Sequence, residues 1–192
     1  MPIKQLAENT APQKLLLTVY DYHRMGAAGV FEKKSRVELI NGEIYTMSPL
    51  SPSHNAHVDK ISRFFHRALY DKALVRTQGS VQIDEYTEPE PDIVILQQCE
   101  DYYSSSQPSI ADIHLVIEVA VNSLQTDRGI KKKQYARAAV PEYWIVIPQR
   151  RLIEVYKKPT EGEYQEKNTY HINDEWLFMP FHLRVKGQDL LL

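Results

Sequence analysis

The chain has 192 residues, of which 43% are hydrophobic and 25% charged, with a formal net charge of -2. This composition predicts one soluble globular domain over residues 1–192. The charge balance excludes a protein that coats nucleic acid over its whole surface, although a local basic groove remains compatible with it. The single cysteine, Cys99, excludes an internal disulfide and a cysteine-based zinc cluster, and we expect it to be a bystander.

The chain begins with a polar segment. Residues 1–14 contain two prolines and predict a loose N-terminal arm without the basic and apolar parts of a secretory leader. The short run Leu15-Leu16-Leu17 cannot cross a bilayer, and together with the lone cysteine it favours a cytoplasmic protein. Thr18 is placed to cap a short helix that runs toward Gly26.

A β-hairpin is predicted next. Asn41-Gly42 supplies the positive φ angles of a two-residue turn between Arg36–Ile40 and Glu43–Met47. In that register Glu38 and Glu43 share one face. Two acids on a hairpin face are usually solvated, but a third acid near a metal site is the alternative.

An amphipathic helix is predicted from Ser53 to Asp71. His54 falls within its apolar stripe, where a histidine either satisfies the core or hydrogen-bonds a phosphate or Glu43. His54 and His57 lack the glutamate and the third ligand of a zinc site, so zinc is not expected.

Two apolar runs each carry one acid. After a strand predicted over residues 74–83, Asp92 begins the short run that ends at Leu96, and Glu118 stands inside the longer run from Ile113 to Val121. A carboxylate in a strand buried on both faces costs several kcal/mol unless a cation, a metal or several donors meet it. The two acids therefore suggest a metal site at the sheet.

Each acid also has a simpler explanation. Asp92 alone could cap its own turn, and Glu118 alone could pair with a buried arginine.

The residues between their strands, 97–111, are rich in Ser, Gln and Tyr, and this composition predicts an exposed loop.

A helix is predicted from about Thr126 to Ala139, ended by Pro141. Its 3.6-residue period places Lys131 on the face of Asp127 and Tyr135, and directs Lys132 and Lys133 away. We therefore expect Lys131 to lean toward the strand of Glu118, although a lysine triplet is more often a solvated face. A hairpin of Glu142–Ile147 with Leu152–Tyr156 and weaker C-terminal strands follow.

Two carboxylates with one lysine are what metal-assisted phosphodiester cleavage requires. The chain lacks a glycine-rich phosphate loop and a Gly-x-Ser-x-Gly elbow, which disfavours a P-loop nucleotidase or an esterase.

Over roughly residues 18–160, the chain resembles the Uma2 family (DUF820) of restriction-endonuclease-like proteins, a branch of the PD-(D/E)XK nuclease superfamily. The matching segments are Val37–Glu43, Ser48-Pro49 with His54, Pro91–Ile93, Leu115–Val119, Asp127–Ala138 and Pro141–Trp144. The resemblance implies an α/β (α+β) fold: a mixed sheet flanked by helices in the order αβββαβ, here with additional C-terminal hairpin strands.

The resemblance also implies functional roles. It implies that Asp92 and Glu118 bind Mg²⁺ or Mn²⁺, and that Lys131 replaces the lysine absent at Ala120. Glu38, Glu43 and His54 are the supporting members of the expected catalytic site. It further implies a homodimer.

The expected reaction is endonucleolytic cleavage of DNA. We expect the DNA-binding surface to draw on the basic residues Arg128, Lys132, Lys133, Arg150 and Arg151. Two alternatives remain: an inactive nuclease fold that binds DNA, and a structural dimer with no nucleic-acid role.

Overall fold

The computed structural model describes residues 14–32 and 35–192, so most of the arm predicted over residues 1–14 lies outside the described residues. In chain order the helices and strands are α1 (Val19–Ala27), β1 (Val37–Ile40), β2 (Glu43–Thr46), α2 (Pro52–Leu69), β3 (Ala73–Thr77), β4 (Ile93–Gln97), β5 (Ile113–Val119), α3 (Leu124–Thr126), a π-helical turn (Asp127–Lys131), α4 (Lys132–Arg137), β6 (Glu142–Ile147), β7 (Leu152–Thr160), β8 (Glu163–His171), β9 (Glu175–Phe178), β10 (Leu183–Lys186) and α5 (Gly187–Leu190). Among the helices described, none has the length and apolar character needed to span a membrane.

The central sheet has six strands in the order β3-β4-β5-β6-β7-β8. Its neighbours are antiparallel except β5 and β6, which are parallel because the helical segment from α3 to α4 carries the chain back between them. The sequence α2-β3-β4-β5-α3/α4-β6 reproduces the order αβββαβ. The predicted mixed sheet flanked by helices is therefore confirmed.

Both faces of the sheet are covered, which explains the long apolar run in β5. One face packs Leu115 and Ile117 against α2 and the β9–β10 hairpin. The other face packs Val116 against Tyr135 of α4. Because side chains alternate along a strand, Glu118 projects on the same face as Val116, toward α4.

One strand prediction needs correction. The strand predicted over residues 74–83 ends at Thr77, since Pro89 and Pro91 in the facing segment have no N–H to extend the ladder. The predicted additional C-terminal hairpin strands are confirmed: β8, with nine residues, pairs with β7, and β10 pairs with β9.

The predicted hairpin has the expected register, with Leu39 opposite Ile44 and Ile40 opposite Glu43. Its turn is fixed against the body of the protein: the N–H of Gly42 donates to the carbonyl of Tyr86 (2.7 Å), and the carbonyl of Gly42 accepts from Leu17 N–H (3.0 Å). Gly42 has φ +73°, and a Cβ there would lie 2.6 Å from Leu16 Cβ. The hairpin is therefore held in one position, and with it Glu38.

We expect Gly42→Ala to destabilise the chain more than Gly29→Ala. Both glycines have φ +73°, but no atom of the described residues lies within 4 Å of a Cβ placed at Gly29. Strain at positive φ costs roughly 1–2 kcal/mol in both variants. The clash with Leu16 adds about 1–3 kcal/mol to Gly42→Ala. Urea unfolding measures both, and equal losses would contradict the tight docking of the hairpin.

Candidate active site

A buried lysine joins two buried glutamates at the centre of the molecule. Lys131 Nζ lies 3.0 Å from Glu118 Oε1 and 3.1 Å from Glu38 Oε1. Only 2% of the Lys131 side chain is exposed. Burial by itself lowers the pKa of Lys131, but the carboxylates of Glu118, Glu38 and Asp127 outweigh it and raise this pKa. Lys131 is therefore a permanent cation, and the π-helical turn, β5 and β1 are linked through it.

Lys131 is the last residue of a π-helical turn. Residues Asp127–Lys131 form the turn where a regular α-helix was predicted, and both end residues are buried. Gly129 stands within it, and short π-helical insertions often occur at functional sites. Lys131 faces inward as expected, while Lys133 is exposed.

The register of β4 and β5 brings the two predicted acids side by side. Ile93 faces Ile117, so the residue before Ile93 and the residue after Ile117 are neighbours on one face. These residues are Asp92 and Glu118. The N–H of Val119 donates to Asp92 Oδ2 at 2.8 Å, which fixes the aspartate against β5.

Each of these two carboxylates has one oxygen held by the protein and one left free. Asp92 Oδ2 also accepts from His54 Nε2 at 3.0 Å, and Glu118 Oε1 accepts from Lys131 and from the Tyr135 hydroxyl, the latter at 3.1 Å. Within the described part of the chain, the donors reach Asp92 Oδ2 and Glu118 Oε1 and leave Asp92 Oδ1 and Glu118 Oε2 without a partner, and the two side chains are 8% and 5% exposed. Both oxygens are available to a ligand.

Asp92 and Glu118 both line a narrow pocket of about 50 Å³. Its charged lining residues are Arg36, Glu38, His54, Glu90, Asp92, Glu118, Asp127 and Lys131. Five of these are acids and only two carry a permanent positive charge. Within residues 14–32 and 35–192, Glu38 Oε2 and Asp127 Oδ1 are also buried without a hydrogen-bond partner. The pocket therefore holds more acidic than basic side chains, and a bound cation would favour their charged forms.

Burial raises the pKa values of three acids in this lining: Glu118, Asp127 and Glu90. Desolvation raises the pKa of Glu118 well above its ordinary value, although Lys131 opposes the shift. Burial also raises the pKa of Asp127 to about 6, against the opposing effects of Lys131 and of the Ser123 hydroxyl. Such shifts concentrate at functional sites because the charged form lacks full solvation.

Of the six predicted catalytic residues, five line this pocket and one does not. Asp92, Glu118, Lys131, His54 and Glu38 converge. Glu43 lies outside the lining, where Tyr45 OH (3.0 Å) and Lys14 Nζ (2.5 Å) donate to its partly exposed carboxylate.

The two glutamates of the hairpin thus have different environments. Glu38 is almost fully buried, so its default interpretation as a solvated acid is wrong, whereas Glu43 lies next to the turn and reaches solvent. The alternative that His54 bonds Glu43 is also wrong, because its partner is Asp92.

Sequence reasoning did not single out Arg36 and Glu90. The N–H of Glu90 donates to Glu38 Oε1 at 3.1 Å, and Arg36 Nη2 lies 3.7 Å from Glu90 Oε2. Arg36 could have been suspected from its place two residues before Glu38 on the same hairpin face. Glu90 follows no strand pattern, since it lies between two prolines in an irregular segment.

The donors suit a hard divalent cation. No group of three or more His, Cys, Asp or Glu side chains among residues 14–32 and 35–192 is arranged to hold a metal ion. Mg²⁺, however, is commonly bound through one or two carboxylates and keeps several waters. The unpartnered oxygens of Asp92 and Glu118 meet that requirement, and the excess of acidic over basic side chains in the lining supports it.

Two of the basic residues predicted to bind DNA, Arg128 and Lys132, form ion pairs within the protein. Arg128 donates to both oxygens of Glu154 (2.9 and 2.8 Å), and Lys132 lies 3.8 Å from Glu163. The charge of Arg128 is therefore balanced by a carboxylate on β7, contrary to the expectation of a free basic residue. Arg150 and Arg151 are exposed.

The mixed sheet in the order αβββαβ, with Asp92 directly before β4 and Glu118 in β5, is the core of a restriction-endonuclease-like fold. The family model described as "Uma2: Putative restriction endonuclease" matches residues 19–185, and the chain belongs to this family.

One solved structure, described as "a putative nuclease belonging to DUF820" from Anabaena variabilis, has a TM-score of 0.70 to this chain at 16% identity. The alignment covers 91% of this chain and 97% of that one. At this identity the likeness shows the shared fold. Among curated proteins, none matches the sequence.

We expect Lys131→Met to cost about 3–5 kcal/mol of unfolding free energy, because it leaves Glu118 and Glu38 buried without a cation. Lys132→Met is the matched control. Its ammonium is 3.8 Å from Glu163, a partly exposed pair worth at most about 1 kcal/mol. Chemical denaturation compares the two variants. A loss for Lys131→Met no larger than that of the control would show that the central ion pairs do not stabilise the fold.

Glu154 and the three side chains that donate to it, Arg128, Lys167 and Tyr156, are here called the Glu154 cluster. We expect this cluster to make the free energy of unfolding depend on pH in the acid range. Burial alone would raise the pKa of Glu154, but hydrogen bonds from Arg128, Lys167 and Tyr156 outweigh it and lower the pKa to about 2. The unfolded-state pKa of a glutamate is about 4.3. The cluster therefore stabilises the fold above that pH, and the contribution is lost as pH falls toward 2.

As the pH falls from about 4.3 to about 2, Glu154→Gln should lose less unfolding free energy than the unmodified chain, because it has no carboxylate to protonate. Thermal unfolding measured across that range tests it. Glu166→Gln, which removes the same charge from an exposed pair with Lys158, is the control. An acid dependence as steep in Glu154→Gln as in the unmodified chain would contradict this account.

Proposed function

We propose that this protein is a metal-dependent endonuclease that hydrolyses phosphodiester bonds of DNA. The observation that carries the proposal is the pair of oxygens without a donor among the described residues, Asp92 Oδ1 and Glu118 Oε2. Both residues line a pocket that also contains the buried Lys131 ammonium and more acidic than basic side chains. Membership of a family described as restriction endonucleases supports the same reaction class.

In this proposal Asp92 and Glu118 hold Mg²⁺ or Mn²⁺. A bound ion of this kind activates water and stabilises charge on the phosphate. Lys131 positions Glu118 and offsets the negative charge that develops on the phosphate oxygens. His54 is a positioning residue, since it donates to Asp92.

DNA would approach the mouth of the pocket. Arg36 is the cation in its lining with the more exposed side chain, at 27% compared with 2% for Lys131. The exposed residues Lys133, Arg150 and Arg151 would contribute to phosphate contacts farther away. A homodimer in the cytoplasm, each subunit with its own pocket, completes the proposal.

Glu118→Gln and Asp92→Asn should abolish nicking of supercoiled plasmid in the presence of Mg²⁺ or Mn²⁺. Each variant keeps the shape of the side chain but removes the charge that holds the ion, and we expect a rate loss of at least about 100-fold. Circular dichroism verifies that the variants fold. Glu154→Gln, a substitution of the same kind away from the pocket, should retain activity.

Equal cleavage by the native chain and Glu118→Gln would identify a contaminant and contradict the proposal. Salt-sensitive binding of DNA without cleavage under any divalent metal would instead support an inactive DNA-binding module.

A further inference from the structure

Tyr135 shares the oxygen that Lys131 binds. Its hydroxyl donates to Glu118 Oε1 at 3.1 Å, and its side chain is almost completely enclosed. Lys131 and Tyr135 are four residues apart and both face the sheet, so two donors from one helical segment converge on one oxygen. The second oxygen of Glu118 has no donor among the described residues, and Glu118 lines the pocket.

The two donors differ in how firmly they can hold the glutamate. Lys131 has a flexible side chain, and its ammonium is shared between Glu118 and Glu38. It therefore stabilises the charge of the Glu118 carboxylate more than it restricts the orientation of that carboxylate. Tyr135 has a rigid ring, packed against Tyr143 with ring centroids 5.0 Å apart. The tyrosine therefore restricts rotation of the Glu118 carboxylate.

Resting on the proposed function, we infer that Tyr135 is a positioning residue that holds Glu118 Oε1 and thereby presents Glu118 Oε2 to a divalent cation. Tyr135 contacts no open part of the pocket and takes no part in proton transfer. Because Tyr135 already restricts rotation of the Glu118 carboxylate, less rotational freedom is lost when the ion binds.

The alternative is that Tyr135 is only one of several buried tyrosines with a satisfied hydroxyl. Tyr164 provides the matched comparison: its hydroxyl donates to the carbonyl of Val140 at 3.0 Å, its ring packs near Tyr143, and it does not line the pocket. Tyr135→Phe and Tyr164→Phe each remove one hydroxyl without altering the ring. A purely structural role predicts the same behaviour for both.

The experiment measures Mn²⁺ affinity without DNA, by electron paramagnetic resonance or calorimetry, and thermal stability on the same samples. Tyr135→Phe should weaken Mn²⁺ binding by about tenfold or more, in the range usual for residues that orient metal ligands. Tyr164→Phe should bind Mn²⁺ like the native chain. With saturating Mn²⁺ and plasmid, Tyr135→Phe should recover most of the native rate.

Three results would overturn the inference. If the native chain binds Mn²⁺ and Tyr135→Phe binds it equally well, the inference fails and the proposed function stands. If Tyr135→Phe and Tyr164→Phe lose affinity equally, the effect comes from packing and the inference also fails. If the native chain binds no Mn²⁺, the metal site itself is wrong, and the role of Tyr135 fails with it.

Discussion

The interaction on which the rest of the structure depends is the ammonium of Lys131 held between Glu118 and Glu38. Burying these three charges costs several kcal/mol for each ion, and only close contacts among them offset that cost. The contacts require the helical segment, β5 and the β1–β2 hairpin to meet at one point. Stability and site geometry are therefore set by the same group of atoms.

The fold places the two acids in contact before any ligand arrives. Antiparallel pairing of β4 and β5 makes Asp92 the cross-strand neighbour of Glu118, and a backbone N–H of β5 ties them together. Protein donors occupy one oxygen of each carboxylate and leave the other free. A cation can then bind with little rearrangement, which is the physical meaning of a preorganised site.

Much of this could be predicted from the sequence, because the informative signals are local. The Asn41-Gly42 turn fixed the hairpin register, and a charge inside an apolar run marked Glu118. The π-helical turn, the burial of Glu38 and the role of Glu90 depend on contacts between distant segments. Periodicity cannot report such contacts, and it also could not show that Glu154 would neutralise Arg128.

The most direct test of the central claim is a crystal structure of the protein soaked in Mn²⁺, with the ion located by its anomalous scattering. The account predicts a peak in the pocket, within bonding distance of Asp92 and Glu118, that disappears in Glu118→Gln crystals. A peak elsewhere, or an unaltered peak in the variant, would contradict it.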